Sequence, residues 1–460
     1  MPLFLSCPLT ETAAYPPGPE DPAANLAQLD AFADRVQTEA LTAAWRAATE
    51  PAPTPKPKPY GIKPLLLLTD AEVRGLGERL DDPRQSRCLQ AVHSFAVRMQ
   101  SESDFHVSRA LTAIADLREQ RADVDLAPVA HELAPLVRQL VSARNRWAWR
   151  RSRLPYLELM KVHRGYAPEV AEGLEKDVRR ALPDDVPKIV RGDLDLMEPS
   201  LAALRFDEAH CLERASSVFL VLGLPANPPA LQIRVATRTA FSPYAFYGID
   251  PPAVQGVTVR PGAGAVPHQS VMHELGHAAM SLLVVPSSCR TMRRPVSAAV
   301  SEGCARIAER LFYSEEWLRS QDVPPAGIEA LQEWERGSDV ARMRGILADL
   351  ELERALYRDP DGEAFKAGGD LAWALKRDLV FEPLARMDYL LARCAQAAVY
   401  RRLRQLPGGL LGEPARRLLR DQVFSGASAL QFEEWFRRAA GTEPNCDAWL
   451  QDVAAAHHPR

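Results

Sequence analysis

No stretch of this 460-residue chain is apolar over the roughly 18 residues that a membrane-spanning helix needs. The longest apolar run near its centre, residues 278–286, is broken by Ser281. An excess of one charge is also missing. With 56 basic and 60 acidic residues the formal net charge is −4, so no global field draws nucleic acid or an anionic membrane. The seven cysteines (Cys7, Cys88, Cys211, Cys289, Cys304, Cys394 and Cys446) show no short repeated spacing and are odd in number. That pattern predicts reduced thiols rather than a disulfide frame. The segment 1–7 lacks a basic stretch and an export-signal core, which predicts a cytoplasmic protein unless a start lies upstream. Histidine is scarce as well: there are ten, and none falls between His277 and His457.

What is present, 47% hydrophobic and 25% charged residues, is ordinary for a large globular core. Residues 1–23 hold six prolines and read as irregular, and residues 25–49 carry the Leu26/Leu29/Phe32/Val36 spacing of an amphipathic helix. Alternating prolines from Pro51 to Pro59 form a stiff, extended spacer. Thr69, Asp70 and Glu72 form a capping box, after which helical periodicity runs to about residue 220. Strand signals are confined to residues 231–236 and 254–260, with turns at Pro251-Pro252 and around Gly262 and Gly264. Helical patterns then resume at His268. The expected architecture is mainly α with one small sheet, divided into a helix and proline-rich linker (1–60), a helical half (61–210) and a second half carrying the chemistry (211–460). Five arginines and two tryptophans between Arg144 and Arg153 suit an amphipathic helix with buried tryptophans and solvated arginines, not a nucleic-acid grip.

The sheet signal precedes His273-Glu274-Leu275-Gly276-His277. Residues four apart share a helix face, so both imidazoles can reach one metal ion while Glu274 stands beside whatever that ion binds. Val271, Met272, Leu275, Ala278, Ala279, Leu282 and Leu283 make the surrounding helix almost wholly apolar. Burying His273, Glu274 and His277 there costs several kcal/mol without a partner, and a metal ion supplies one. A hydrolytic zinc site takes three protein ligands. Position 283, where one such pattern has a third histidine, is Leu283. Residues 278–301 contain no Asp, Glu or His, and Glu302 is the first carboxylate after His277. It lies on a small-residue helical segment whose first turn suits Pro295. Cys289, in the connecting segment, is a competing ligand; His268 points off the metal face.

These residues resemble the helical gluzincin metallopeptidases that include angiotensin-converting enzyme, thimet oligopeptidase and oligoendopeptidase F. The shared features are His-Glu-x-x-His on one helix, a glutamate about 25 residues beyond the second histidine, and a short sheet before the metal helix. The resemblance spans about residues 205–455. It implies two helical halves around a channel, peptides lying along an edge strand, one Zn2+ held by His273, His277 and Glu302, and Glu274 as general base. It further implies a late-helix tyrosine that hydrogen-bonds the reaction intermediate, here Tyr389, with Tyr400 second. Two departures stand out: no histidine precedes that tyrosine, and Arg306 occupies the position four after Glu302 where angiotensin-converting enzyme has an acidic residue. Lys376, Arg386 and Arg393 are candidates to bind a substrate's terminal carboxylate. The expected function is zinc-dependent hydrolysis of oligopeptides. The alternatives are a catalytically impaired zinc- or peptide-binding protein and a hydrolase of a non-peptide amide.

Overall fold

A computed structural model describes residues 21–49, 70–120, 126–182, 208–236, 244–262, 264–285, 289–365 and 371–457. The proline spacer and Thr69 of the capping box lie outside these residues. The first helix, Pro22–Thr49, buries Leu26, Leu29, Ala33, Val36 and Ala40 at three- to four-residue spacing. It packs on two neighbours. Leu26 to Val36 join Leu89, Val92 and Phe95 of helix Pro83–Ser103 in one cluster, while Trp45 sits against the sheet, edge-on to Tyr247 with centroids 5.5 Å apart. Helix Pro83–Ser103 starts where its pattern says it should: Asp82 accepts from Arg84 N–H at 2.8 Å and Pro83 occupies the first turn.

Helices Phe105–Gln120 and Leu126–Ser152 share a second cluster with Leu356, Trp373 and Val380. The arginine-tryptophan segment ends this second helix and differs from expectation. Trp147 is buried, but Trp149 is 54% exposed, and Arg144 is buried, donating to the Tyr357 hydroxyl at 3.0 Å. A buried cation needs such a partner, which periodicity alone does not reveal.

The sheet has three strands where the sequence indicated two. β1 (Leu231–Val235) and β3 (Val254–Val259) pair in parallel, and β2 (Ala245–Asp250) pairs antiparallel with β3, giving the order β1-β3-β2. β2 has no alternating pattern. Its place comes from the β3 ladder and from Tyr247 and Ile249 packing under Trp45.

The largest core surrounds three helices: Ala265–Leu282, which carries the His-Glu-x-x-His motif; Ala298–Leu311, which carries Glu302; and Ala385–Arg404, which carries both tyrosines. Gly264, at φ 96°, supplies the left-handed entry to the motif helix. The Glu302 helix begins at Ala298, so Pro295 precedes it rather than forming its first turn. Cys88 and Cys289 are disulfide-bonded, contrary to the expectation of reduced thiols; 201 positions separate them, so no local spacing announces the pair. Cys211, Cys304, Cys394 and Cys446 are buried. Among the described residues no helix is long and apolar enough to cross a membrane.

Candidate active site and metal centre

The motif helix and the Glu302 helix run antiparallel, with Gln269 and His273 meeting Glu309 and His277 meeting Ser301. Their close approach depends on Gly276. A Cβ there would lie 2.7 Å from both the Ala305 Cα and the Ala308 Cβ, nearer than such atoms come. The free position of the motif is therefore small for a reason: only without a side chain can the two faces approach this closely.

One donor atom from each of His273, His277 and Glu302 falls within 4.8 Å of the others. Glu302 Oε2 is 3.4 Å from His273 Nε2, and Glu302 Oε1 is 3.7 Å from His277 Nε2. The outer ring nitrogens are engaged elsewhere. His273 Nδ1 lies 2.9 Å from Glu309 Oε2, and because that carboxylate is ionised and can only accept, Nδ1 carries the proton. His277 Nδ1 shares a hydrogen bond with Ser301 Oγ at 2.9 Å. Both Nε2 atoms are thus turned inward. Glu302 Oε2, buried, forms no hydrogen bond of good geometry. Two inward imidazoles and an under-satisfied buried carboxylate are a donor set for a divalent cation such as zinc, and the residues fit one.

The electrostatics agree. Burial opposes the carboxylate of Glu302, yet its contacts with His273 and His277 outweigh it and hold the pKa at about 2. Burial likewise opposes a charged His273, but Glu302 and Glu309 push it up to about 9, and an arrangement that favours a proton there also favours a metal cation. His277 is lowered by burial to about 4 and stays neutral. Burial raises Glu274 to about 7.

Tyr389 is brought to this cluster. Glu302 is the largest influence raising its phenol, and the Arg306 and Arg386 guanidiniums lie 6.0 and 5.6 Å from its ring centroid. β2 also borders the site, with Phe246 stacked on His277 at 6.0 Å.

Other candidates lie elsewhere. Tyr400 is buried and donates its hydroxyl to the Ile307 carbonyl at 3.0 Å, so it tethers two helices instead of facing a substrate. Lys376 is paired with Asp349 at 2.6 Å, a carboxylate it shares with Arg386 at 3.0 Å. Arg393 is buried against Asp339, which removes it as a carboxylate binder. Cys289 is occupied by its disulfide and is not a competing ligand. His268 is fully buried, its Nδ1 2.8 Å from the Gly264 carbonyl in the first turn of the motif helix. Glu309 and Ser301 were missed at the sequence level. A signal for Glu309 existed, since it lies seven residues after Glu302 and so on the same helix face.

No protein-family profile and no curated protein sequence matches the chain. Solved structures do. An M32 carboxypeptidase from Deinococcus radiodurans is similar over 94% of this chain and 97% of its own, at 16% identity and a TM-score of 0.56. Metallocarboxypeptidase 1 of Trypanosoma cruzi matches over 95% and 99% of the two chains at 15% identity and a TM-score of 0.63. A putative oligoendopeptidase F from Bacillus anthracis matches over 94% and 91% at 12% identity and a TM-score of 0.64. With its many helices and the small sheet before the motif helix, the chain has the fold of these metallopeptidases, its structural neighbours being M32 carboxypeptidases and an oligoendopeptidase F-like protein.

Proposed function

We propose that this protein is a zinc-dependent peptidase that hydrolyses oligopeptides. The observation that carries the reading is the convergence of His273 Nε2, His277 Nε2 and the Glu302 carboxylate, with both Nδ1 atoms held from behind. These three residues would hold the zinc ion. When bound there it supplies Lewis acidity, making water more acidic and a scissile carbonyl more electrophilic.

The chain's own residues do the rest. Glu274 takes a proton from the attacking water and returns it to the leaving amine. Tyr389 donates its hydroxyl to the oxygen that gains charge as the carbonyl carbon becomes tetrahedral. A phenol, with an ordinary pKa of about 10, keeps its proton near neutral pH and so remains a donor. β2, an edge of the sheet beside His277, would align an extended peptide by main-chain hydrogen bonds.

An intact Glu274 beside the ligands favours catalysis over a zinc- or peptide-binding role, because a purely structural site needs no base. The test is the zinc content of the purified protein together with cleavage of quenched peptides of graded length, with and without a chelator. Stoichiometric zinc and chelator-sensitive cleavage are expected. Bound zinc with no cleavage at any length would overturn the peptidase reading.

A further inference from the structure

Glu309 is 4% exposed, yet both its oxygens are satisfied. Oε2 receives His273 Nδ1 at 2.9 Å and Arg306 Nη1 at 2.7 Å; Oε1 receives Gln269 Nε2 and the same Nη1 at 2.9 Å. Gln269 is fixed in turn, its Oε1 accepting from the buried Tyr313 hydroxyl at 2.6 Å. The carboxylate is thus locked by donors from the motif helix and from its own helix, leaving the His273 ring one orientation in which Nδ1 donates. The guanidinium that neutralises Glu309 also lies over the ring of Tyr389, 6.0 Å from its centroid.

We infer that Glu309 is the positioning residue for His273, and that Arg306 couples it to Tyr389, so that one guanidinium sets both a metal ligand and the tyrosine donor. Residues 302, 306 and 309 are spaced to share a helix face, which is why a single helix supplies a ligand, the coupling cation and the carboxylate that orients a ligand on its neighbour. Carboxylates behind a metal-bound imidazole fix its tautomer and angle, and losing one weakens metal binding by about 10–100-fold. The inference rests on the metallopeptidase reading above.

The experiment is zinc titration of the full chain against a chelating dye, with visible spectra of the cobalt(II)-loaded protein and thermal unfolding of the metal-free protein. In Glu309→Gln, zinc affinity is expected to fall by about 10–100-fold and the cobalt bands to shift, because His273 is no longer held at one angle. A purely structural role would lower only the metal-free unfolding temperature. Should Glu309→Gln fail to fold, Arg306→Met answers the same question: a several-fold loss of zinc affinity together with a lower kcat on a quenched peptide supports the coupling. Unchanged zinc affinity and an unchanged cobalt spectrum in a folded variant overturn this inference alone. A wild-type chain that binds no zinc overturns the proposed function as well.

Discussion

Gly276 lies against Ala305 so closely that a side chain on the glycine would meet the alanine's Cα at 2.7 Å. This contact, not the histidines themselves, sets how near Glu302 comes to the motif helix. Gly276→Ala is therefore expected to force the two helices apart. Overpacking of this kind costs about 1–3 kcal/mol, more than the ~1 kcal/mol that alanine gains in helix propensity. Urea unfolding of the metal-free protein should show the net loss, and zinc titration a weakened site. An unchanged zinc affinity would mean that the helix spacing does not govern the ligand geometry.

Glu274 and Glu302 separate by role. Glu274→Gln is expected to keep zinc and lose turnover, because the amide cannot take the proton. Glu302→Ala is expected to lose zinc, since two imidazoles remain where three ligands are needed. Metal analysis of the dialysed proteins and cleavage of a quenched peptide read both outcomes. Peptidase activity surviving in Glu274→Gln would remove it as the base.

Under the proposed mechanism, Tyr389→Phe deletes a donor that serves the reaction and not the ground state. Removing such a donor costs about 10²–10³-fold in kcat. KM should change little, and zinc should stay bound. Tyr400→Phe, which breaks only the hydroxyl's bond to the Ile307 carbonyl, is expected to lower stability by about 1 kcal/mol and leave kcat unchanged. Steady-state kinetics of the two variants side by side decide between the tyrosines.

A pH dependence of stability follows from His163. Burial, joined by His93 and Arg151 and opposed by Asp70, lowers its pKa to about 4 from the usual 6.5. The ring is buried, 3.3 Å from Ser94 Oγ and edge-on to His93. Between those two values the unfolded chain takes a proton that the folded chain refuses, so stability present above pH 6.5 is lost as pH falls toward 4. The His163 share is of the order of a few kcal/mol. Urea midpoints of the metal-free protein from pH 7.5 to 4.5 should fall less steeply in His163→Gln than in the wild type. Equal slopes would show that other groups carry the acid limb.

How much of this was legible without coordinates depended on distance along the chain. The motif and Glu302 could be read because helix spacing is local and because residues 278–301 offer no rival carboxylate or imidazole. Glu309 lay in plain view at seven residues from Glu302, but its partner His273 sits on another helix, and only the antiparallel register brings them together. Tyr389 and Tyr400 are 11 residues apart, nearly whole turns, so periodicity puts both on one face about 16 Å apart along the axis without saying which end meets Glu302. β2 was hidden because its Ala-Phe-Tyr-Gly-Ile-Asp has no alternation; a neighbouring strand and Trp45 make it a strand. The Cys88–Cys289 pair was hidden for the same reason on a longer scale.

Residues 289–294, between the helices that carry His273 and Glu302, are fastened to two other helices, Pro22–Thr49 and Pro83–Ser103. Asp30 accepts from the Arg290 and Thr291 N–H groups at 2.6 and 2.8 Å, Asp34 pairs with Arg293 and Arg294 at 3.0 and 2.5 Å, and Cys289 is bonded to Cys88. A stretch that could have been a slack tether is a brace between the first helix and the ligands. A divalent ion held by His273, His277 and Glu302 would then meet ligands already in place, and little of its binding free energy would go into ordering the chain. Zinc removal should leave the helix content almost untouched, and this protein should release and recapture its metal as a lock takes a key, without unfolding in between.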